Sequence, residues 1–256
     1  MPTGRGTVLR TVIFDVDGTL VDSERDGHRV AFNQAFAEFD LPYRWDEPTY
    51  GRLLDVTGGQ PRLHAYLAGE GVARAERDEL VPRLHARKTE LFLALAAAGE
   101  VPARPGALRL LDELGDLGVT VGVATTGSRM WVEPLLDRHF GLDRFAVIVT
   151  GDDTSQRKPD PESYVVALRA LGAGTGSTVA VEDSDNGVRA ARAAGLRVAA
   201  VANDYTATQE LQEAAVVLDG FGMPGVPVKV RHDPDGVLEA GILDAAALAR
   251  IAANPF

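Results

Sequence analysis

Apolar positions along this chain gather into short β-branched runs separated by longer stretches of helical period. Val12–Phe14, Val119–Ala124, Ala146–Val149, Thr178–Val181, Val198–Ala202 and Val216–Leu218 are apolar without alternation, the pattern of strands buried on both faces. Gly106–Leu117, Val132–Phe140, Pro161–Leu171 and Gly187–Ala194 repeat their apolar residues with helical spacing. Gly118, Gly172 and Gly195 stand where left-handed C-terminal caps belong. Strand–helix–strand steps this short predict a doubly wound α/β fold built on a parallel sheet.

The rhythm breaks once. From Val21 to about Pro102 the pattern offers no good strand, only helical periods over Arg29–Phe39, Tyr50–Leu54, Arg62–Ala68 and Glu76–Ala98. The expectation is an inserted α-helical domain, residues 22–102, dividing a core made of residues 1–21 and 103–256. Pro102 and Pro105 mark the return to the core, through a Pro105-Gly106 turn. Near the other end, Phe221–Gly241 is rich in glycine and proline and is expected to wrap loosely on the core before a last helix, Ala245–Ala252.

Composition narrows the classes. A chain of 256 residues can hold a core domain and a smaller partner, and 45% apolar with 25% charged residues is ordinary for a soluble globular protein. The longest apolar run, Leu91–Ala98, is too short to span a bilayer, and Met1–Arg10 lacks the apolar stretch of a secretory signal. With no cysteine there are neither disulfides nor thiolate metal sites, which suits a reducing cytoplasm and leaves carboxylates as metal ligands. A net charge of −11 argues against nucleic acid as a partner. A small anionic substrate stays open, because the field at a site depends on local cations. A monomer is the default expectation.

Four polar clusters follow four of the strands, at the carboxyl ends where an open α/β sheet forms its ligand crevice. The first is Asp15-Val16-Asp17-Gly18-Thr19. Its Asp-x-Asp spacing can turn two carboxylates toward one site, one able to attack phosphorus and one able to protonate a leaving oxygen. The second, Thr125-Thr126-Gly127-Ser128, offers hydroxyls and backbone N–H groups to a transferring phosphoryl group. The third is Lys158-Pro159-Asp160-Pro161, whose ammonium can neutralise charge. The fourth, Glu182-Asp183-Ser184, adds hard oxygen ligands suited to Mg²⁺. Each alone passes for a turn or a helix entry. Their order, each behind a strand, is what carries the functional reading.

This ordered set resembles the four motifs of the haloacid-dehalogenase superfamily of hydrolases over Thr11 to about Gly195. The resemblance implies a Rossmann-like parallel sheet of order 5-4-1-2-3 with a helical type-one cap in the first gap. It implies a magnesium-dependent phosphatase with Asp15 as nucleophile and Asp17 as acid/base. Thr125 and Lys158 would hold the phosphoryl group, and Mg²⁺ would lie among Asp15, the Asp17 carbonyl, Asp183 and nearby Glu182. The insert narrows the resemblance to CbbY-type sugar-phosphate phosphatases, known for removing xylulose-1,5-bisphosphate. Glu24–Arg29, Ala31-Phe32-Asn33, Trp45-Asp46, Thr57-Gly58-Gly59, Arg87–Glu90, Arg104-Pro105-Gly106 and Glu182–Gly187 carry it. Substrate contacts are accordingly expected from Glu24, His28, Thr57, Gly58, Gly59, Arg62, Lys88, Thr126 and Gly127. The family usually continues Thr-Gly-Gly with lysine; here Gln60 follows, leaving Arg62 or Lys88 to supply the cation.

Rivals separate on chemistry. A dehalogenase needs no acid at Asp17, and a phosphonatase wants a Schiff-base lysine in the cap instead. A β-phosphoglucomutase-like enzyme shares every core motif, and a non-catalytic phosphosugar binder would have no use for Asp17. Asp15-x-Asp17-Gly18 lacks the remaining spacing of a calcium loop. His64, His85 and His139, with Trp45 and Trp131, read as packing or surface residues.

Overall fold

The computed structural model describes residues 8–254. They divide into two compact units: residues up to Val21 together with those from Ala103 onward, and Asp22–Pro102. Strand β1 (Thr11–Phe14) opens the first unit.

The second unit is helical. A π-helical turn, Glu24–His28, runs straight into α1 (Arg29–Glu38), a feature the apolar pattern does not predict. Helix α2 (Glu47–Leu53) begins earlier than its apolar residues suggest, because the Asp46 side chain accepts from Thr49 N–H at 2.8 Å and Pro48 suits the first turn. Helices α3 (Gly59–Gly69) and α4 (Arg74–Ala98) complete the unit, and α4 continues through Pro82. Its core is aromatic. Trp45 is fully buried, 4.7 Å from Phe32, 4.9 Å from Phe36 and 5.1 Å from Tyr66 between ring centroids. Asn33 fixes the Trp45 backbone at both ends, accepting from its N–H at 2.7 Å and donating to its carbonyl at 2.8 Å.

In the first unit, α5 (Ala107–Asp116), β2 (Thr120–Ala124), α6 (Arg129–Phe140), β3 (Val147–Val149), α7 (Glu162–Leu171), β4 (Thr178–Glu182), α8 (Asp185–Ala193), β5 (Arg197–Val201), β6 (Val216–Leu218), β7 (Val230–His232) and α9 (Ala245–Ala253) follow in turn. The sheet order is β3-β2-β1-β4-β5-β6-β7. For the first five strands this is the expected order; the sheet is longer, with β6 added in parallel and β7 antiparallel at the edge. Central β1 is buried along its whole length, which explains its unbroken apolar sequence. The predicted cap glycines Gly118, Gly172 and Gly195 all have positive φ. The tail is less loose than expected. Phe221 and Leu243 are fully buried and joined through Leu243 N–H to the Phe221 carbonyl at 2.8 Å, while Val228 N–H bonds the Gly241 carbonyl at 3.0 Å. Among the described residues no helix is long and apolar enough to cross a membrane.

Candidate active site

Parallel register brings the four motifs level. Phe14 pairs with Val123 of β2 and with Val181 of β4, so the next residue of each strand, Asp15, Ala124 and Glu182, emerges in one row. Val149 of β3 pairs with Ala124, and Thr125 N–H bonds its carbonyl at 3.0 Å. Adjacent strands stand about 4.8 Å apart, so groups remote in sequence share a site without any loop having to reach.

Lys158 ties the row together. Its Nζ donates to Asp15 Oδ1 at 2.6 Å, to Glu182 Oε1 at 2.5 Å and to the Ala124 carbonyl at 2.9 Å. Side-chain exposure is 6% for Lys158 and 1% for Glu182, so solvent screens these pairs little. Burial disfavours the ammonium, but the carboxylates of Asp15 and Glu182 outweigh it and hold Lys158 above the ordinary lysine range. Burial drives the Asp15 carboxyl well above the usual carboxylate range, against the pull of Lys158 and reinforced by Glu182, Asp183 and Asp17. Glu182 Oε1 also accepts from Tyr164 OH at 2.5 Å. Burial, then the Glu182 charge, pushes that phenol well up, keeping it a donor.

Asp15, Glu182 and Asp183 each offer an oxygen within 4.8 Å of the others. A buried set of hard oxygen donors fits Mg²⁺. The half-buried Asp17 lies in the turn after Asp15, where Gly18 N–H bonds the Val21 carbonyl at 2.9 Å. Thr19, fully buried, donates to Asp183 Oδ1 at 3.4 Å. Thr125 Oγ1 accepts from Gly127 N–H at 3.1 Å, which shapes the loop through Thr126. Gly127 itself is packed beneath Trp131.

The candidate residues of the helical unit form two groups. Tyr50 OH donates to Glu24 Oε2 at 2.5 Å and accepts from Arg62 Nη1 at 3.0 Å, while Arg62 Nε donates to the Leu53 carbonyl at 3.0 Å. Lys88 Nζ lies 2.8 Å from His28 Nδ1 and 4.8 and 5.1 Å from the ring centroids of Phe32 and Phe92. Burial, with Lys88 beside it, holds His28 well below the ordinary histidine value, so its neutral ring can accept from the ammonium. Thr57, Gly58 and Gly59 are half-buried at the entry to α3, and Gln60 is exposed.

Tyr164, Asn203 and Arg104 are additions to the sequence reading. Tyr164 sits on the apolar face of α7 and reads as core. Arg104 belongs to a quoted motif, but nothing in that motif signals its partners.

A sequence model of the haloacid dehalogenase-like hydrolases matches residues 9–195. The plasmid-borne protein CbbY of Cupriavidus necator is 40% identical over 232 residues, covering 88% of this chain and 91% of its own. A phosphoglycolate phosphatase of Rhodospirillum rubrum is 32% identical, covering 84% and 89%. The crystal structure of CbbY from Rhodobacter sphaeroides with phosphate is 38% identical and overlays with a TM-score of 0.74, covering 85% of this chain and 99% of that one. A variant of the same protein, crystallised with xylulose-(1,5)bisphosphate, gives the same TM-score of 0.74.

Proposed function

Because this chain belongs to the haloacid dehalogenase-like hydrolases and is a phosphatase of that family, we propose that it hydrolyses a small sugar phosphate through a phosphoryl group carried on Asp15. The observation that carries the reading is Lys158, buried and bonded to Asp15, with Glu182 and Asp183 converging on the same row. Burial and the neighbouring carboxylates raise the Asp15 carboxyl, the buried ammonium of Lys158 pulls it back toward the ionised form, and a divalent cation bound there would add to that pull.

Asp15 attacks phosphorus in line, forming a bond to Oδ as the bond to the sugar oxygen breaks, and protonated Asp17 gives that oxygen its proton. Asp17, now a carboxylate, takes a proton from water as the water oxygen attacks the same phosphorus. The bond to Oδ breaks, inorganic phosphate leaves and the Asp15 carboxylate is restored. Lys158 offsets charge on Asp15 and on the phosphoryl oxygens, with the Thr125 hydroxyl and the N–H groups of Thr126 and Gly127 as further donors. Mg²⁺, held by Asp15, Asp183 and the Asp17 carbonyl, would add the positive charge that lets a dianionic phosphate approach a carboxylate. Glu182, bonded to both Lys158 and Tyr164, orients the lysine.

Similarity to CbbY, one structure of which holds xylulose-(1,5)bisphosphate, makes a pentulose bisphosphate the first substrate to test. Glu24, His28, Thr57, Gly58, Gly59, Arg62 and Lys88 are the proposed recognition residues of the helical unit, with Arg62 and Lys88 supplying cations for a second anionic group. A monomer suffices, since every group invoked lies on one chain. Asp15→Asn should abolish phosphate release from a panel of xylulose-1,5-bisphosphate, ribulose-1,5-bisphosphate, phosphoglycolate and hexose phosphates. Release at the wild-type rate by that variant would sink the proposal. Isomerised hexose phosphate without free phosphate would identify a mutase, the reading that the CbbY and phosphatase relatives favour less.

A further inference from the structure

Asn203 stands just beyond β5, outside all four motifs, and its side chain is pinned at both ends. Its Oδ1 accepts from the N–H groups of Tyr205 at 2.9 Å and Thr206 at 3.2 Å. The hydrogen-bond network therefore decides which way the amide faces. Nδ2 is turned the other way, donating to Asp183 Oδ2 at 2.7 Å and to the Gly18 carbonyl at 3.3 Å.

The Gly18 carbonyl is held independently. The buried Arg104 donates from Nη1 to that carbonyl and to the Val201 carbonyl, each at 2.6 Å, and from Nη2 to the Ala202 carbonyl at 2.9 Å. Arg104 thus fastens the turn after Asp15 to the end of β5, fixing the gap that Asn203 spans. Gly18 leaves room for the contact: a Cβ there would lie 2.4 Å from Asp183 Oδ2 and 2.6 Å from Asn203 Nδ2. Two elements far apart in sequence are built around one hydrogen bond to one carboxylate oxygen.

We propose that Asn203 is a positioning residue: by engaging Asp183 Oδ2 it fixes the carboxylate plane, so that Oδ1, which accepts from Thr19 at 3.4 Å, is presented by its other lone pair to the divalent cation. The inference rests on the reading of Asp183 as a metal ligand. A carboxylate with both oxygens at liberty can rotate about its terminal torsion, and a partner on one oxygen removes that freedom before the cation arrives.

The test is titration with Mn²⁺ alone, followed by the paramagnetic resonance signal of the unbound ion. Asn203→Ser keeps a side-chain acceptor for the turn N–H groups but is too short to reach Asp183. It should weaken Mn²⁺ binding roughly ten-fold and raise the Mg²⁺ concentration needed for half-maximal activity, with kcat at saturating Mg²⁺ largely retained. Thr206→Val loses the hydroxyl that accepts from Asn203 N–H at 3.0 Å and serves as the control for the turn. It should lower the melting temperature and leave Mn²⁺ affinity unchanged. Wild-type Mn²⁺ affinity in Asn203→Ser, or an equal loss in Thr206→Val, overturns the inference. Asp183→Ala separates the two levels. If it binds Mn²⁺ like the wild type, the metal reading falls and this inference with it. If it loses binding while Asn203→Ser does not, only the positioning role falls.

Discussion

A methyl group on Gly187 would lie 2.0 Å from Glu182 Oε2, and Glu182 is the residue that holds Lys158 against Asp15. Gly187 sits in the first turns of α8, where alanine would ordinarily stabilise a helix by about 1 kcal/mol. Here the sign should reverse. Gly187→Ala is expected to displace the Glu182 carboxylate, lowering kcat roughly 10²-fold, with a lower urea midpoint in place of the usual gain. Steady-state phosphate release and urea denaturation on the same preparation check both. The sequence shows Glu182 and Gly187 as parts of one motif, yet not that the second makes room for the first. The five-residue interval becomes a contact only once Ser184 caps the helix, accepting from Gly187 N–H at 3.2 Å. Tyr164 was equally hidden. On the helical pattern it is one more apolar residue of α7, and only packing against the sheet brings its hydroxyl to Glu182.

Between elements, the decisive fact is the in-register parallel pairing of β1 with β2 and β4. It makes the motifs legible in advance, because a polar cluster after a buried strand of a parallel sheet must come out on the ligand edge. Joints made by single side chains across elements are not legible in this way. Arg104 precedes α5 by a short loop, but its carbonyl acceptors lie at Gly18 and at the end of β5. Removing it should cost more than a surface arginine would. Arg104→Met leaves buried carbonyls without their donor, and the unfolding free energy should fall by about 3 kcal/mol. Equilibrium urea denaturation reads this directly, and an unchanged midpoint would show that the joint carries no weight. Helix boundaries shifted for similarly local reasons. Asp46 starts α2 ahead of its apolar residues, and α6 begins at Arg129 directly after the loop that ends in Ser128.

At the scale of the molecule, the two units carry one tryptophan each: Trp45 in the helical unit, Trp131 in the sheet unit. His28 lies buried in the helical unit with its pKa held well below 6.5, so the folded form resists the proton that the unfolded chain accepts. Its contribution is therefore complete above pH 6.5 and is lost as pH falls below that value, by up to about 1.4 kcal/mol per pH unit. A Trp131→Phe variant, reporting through Trp45, should show a urea midpoint that drops between pH 7 and 5.5, and His28→Gln should flatten that part of the slope. An equally steep slope in the histidine variant would assign it to other groups. By itself the sequence determined the strand–helix alternation, the helical insertion and the identity of Asp15, Asp17, Thr125, Lys158 and Asp183 as candidates. Those features are written in local periodicity and in the short spacings that follow each strand. Only the tertiary structure decided where β6 joins the sheet, the antiparallel edge strand β7, the pairing of Lys158 with both Asp15 and Glu182, and the place of Tyr164, Arg104 and Asn203. Those depend on register and side-chain packing between segments up to 185 residues apart, as between Gly18 and Asn203, and no local pattern encodes such a meeting.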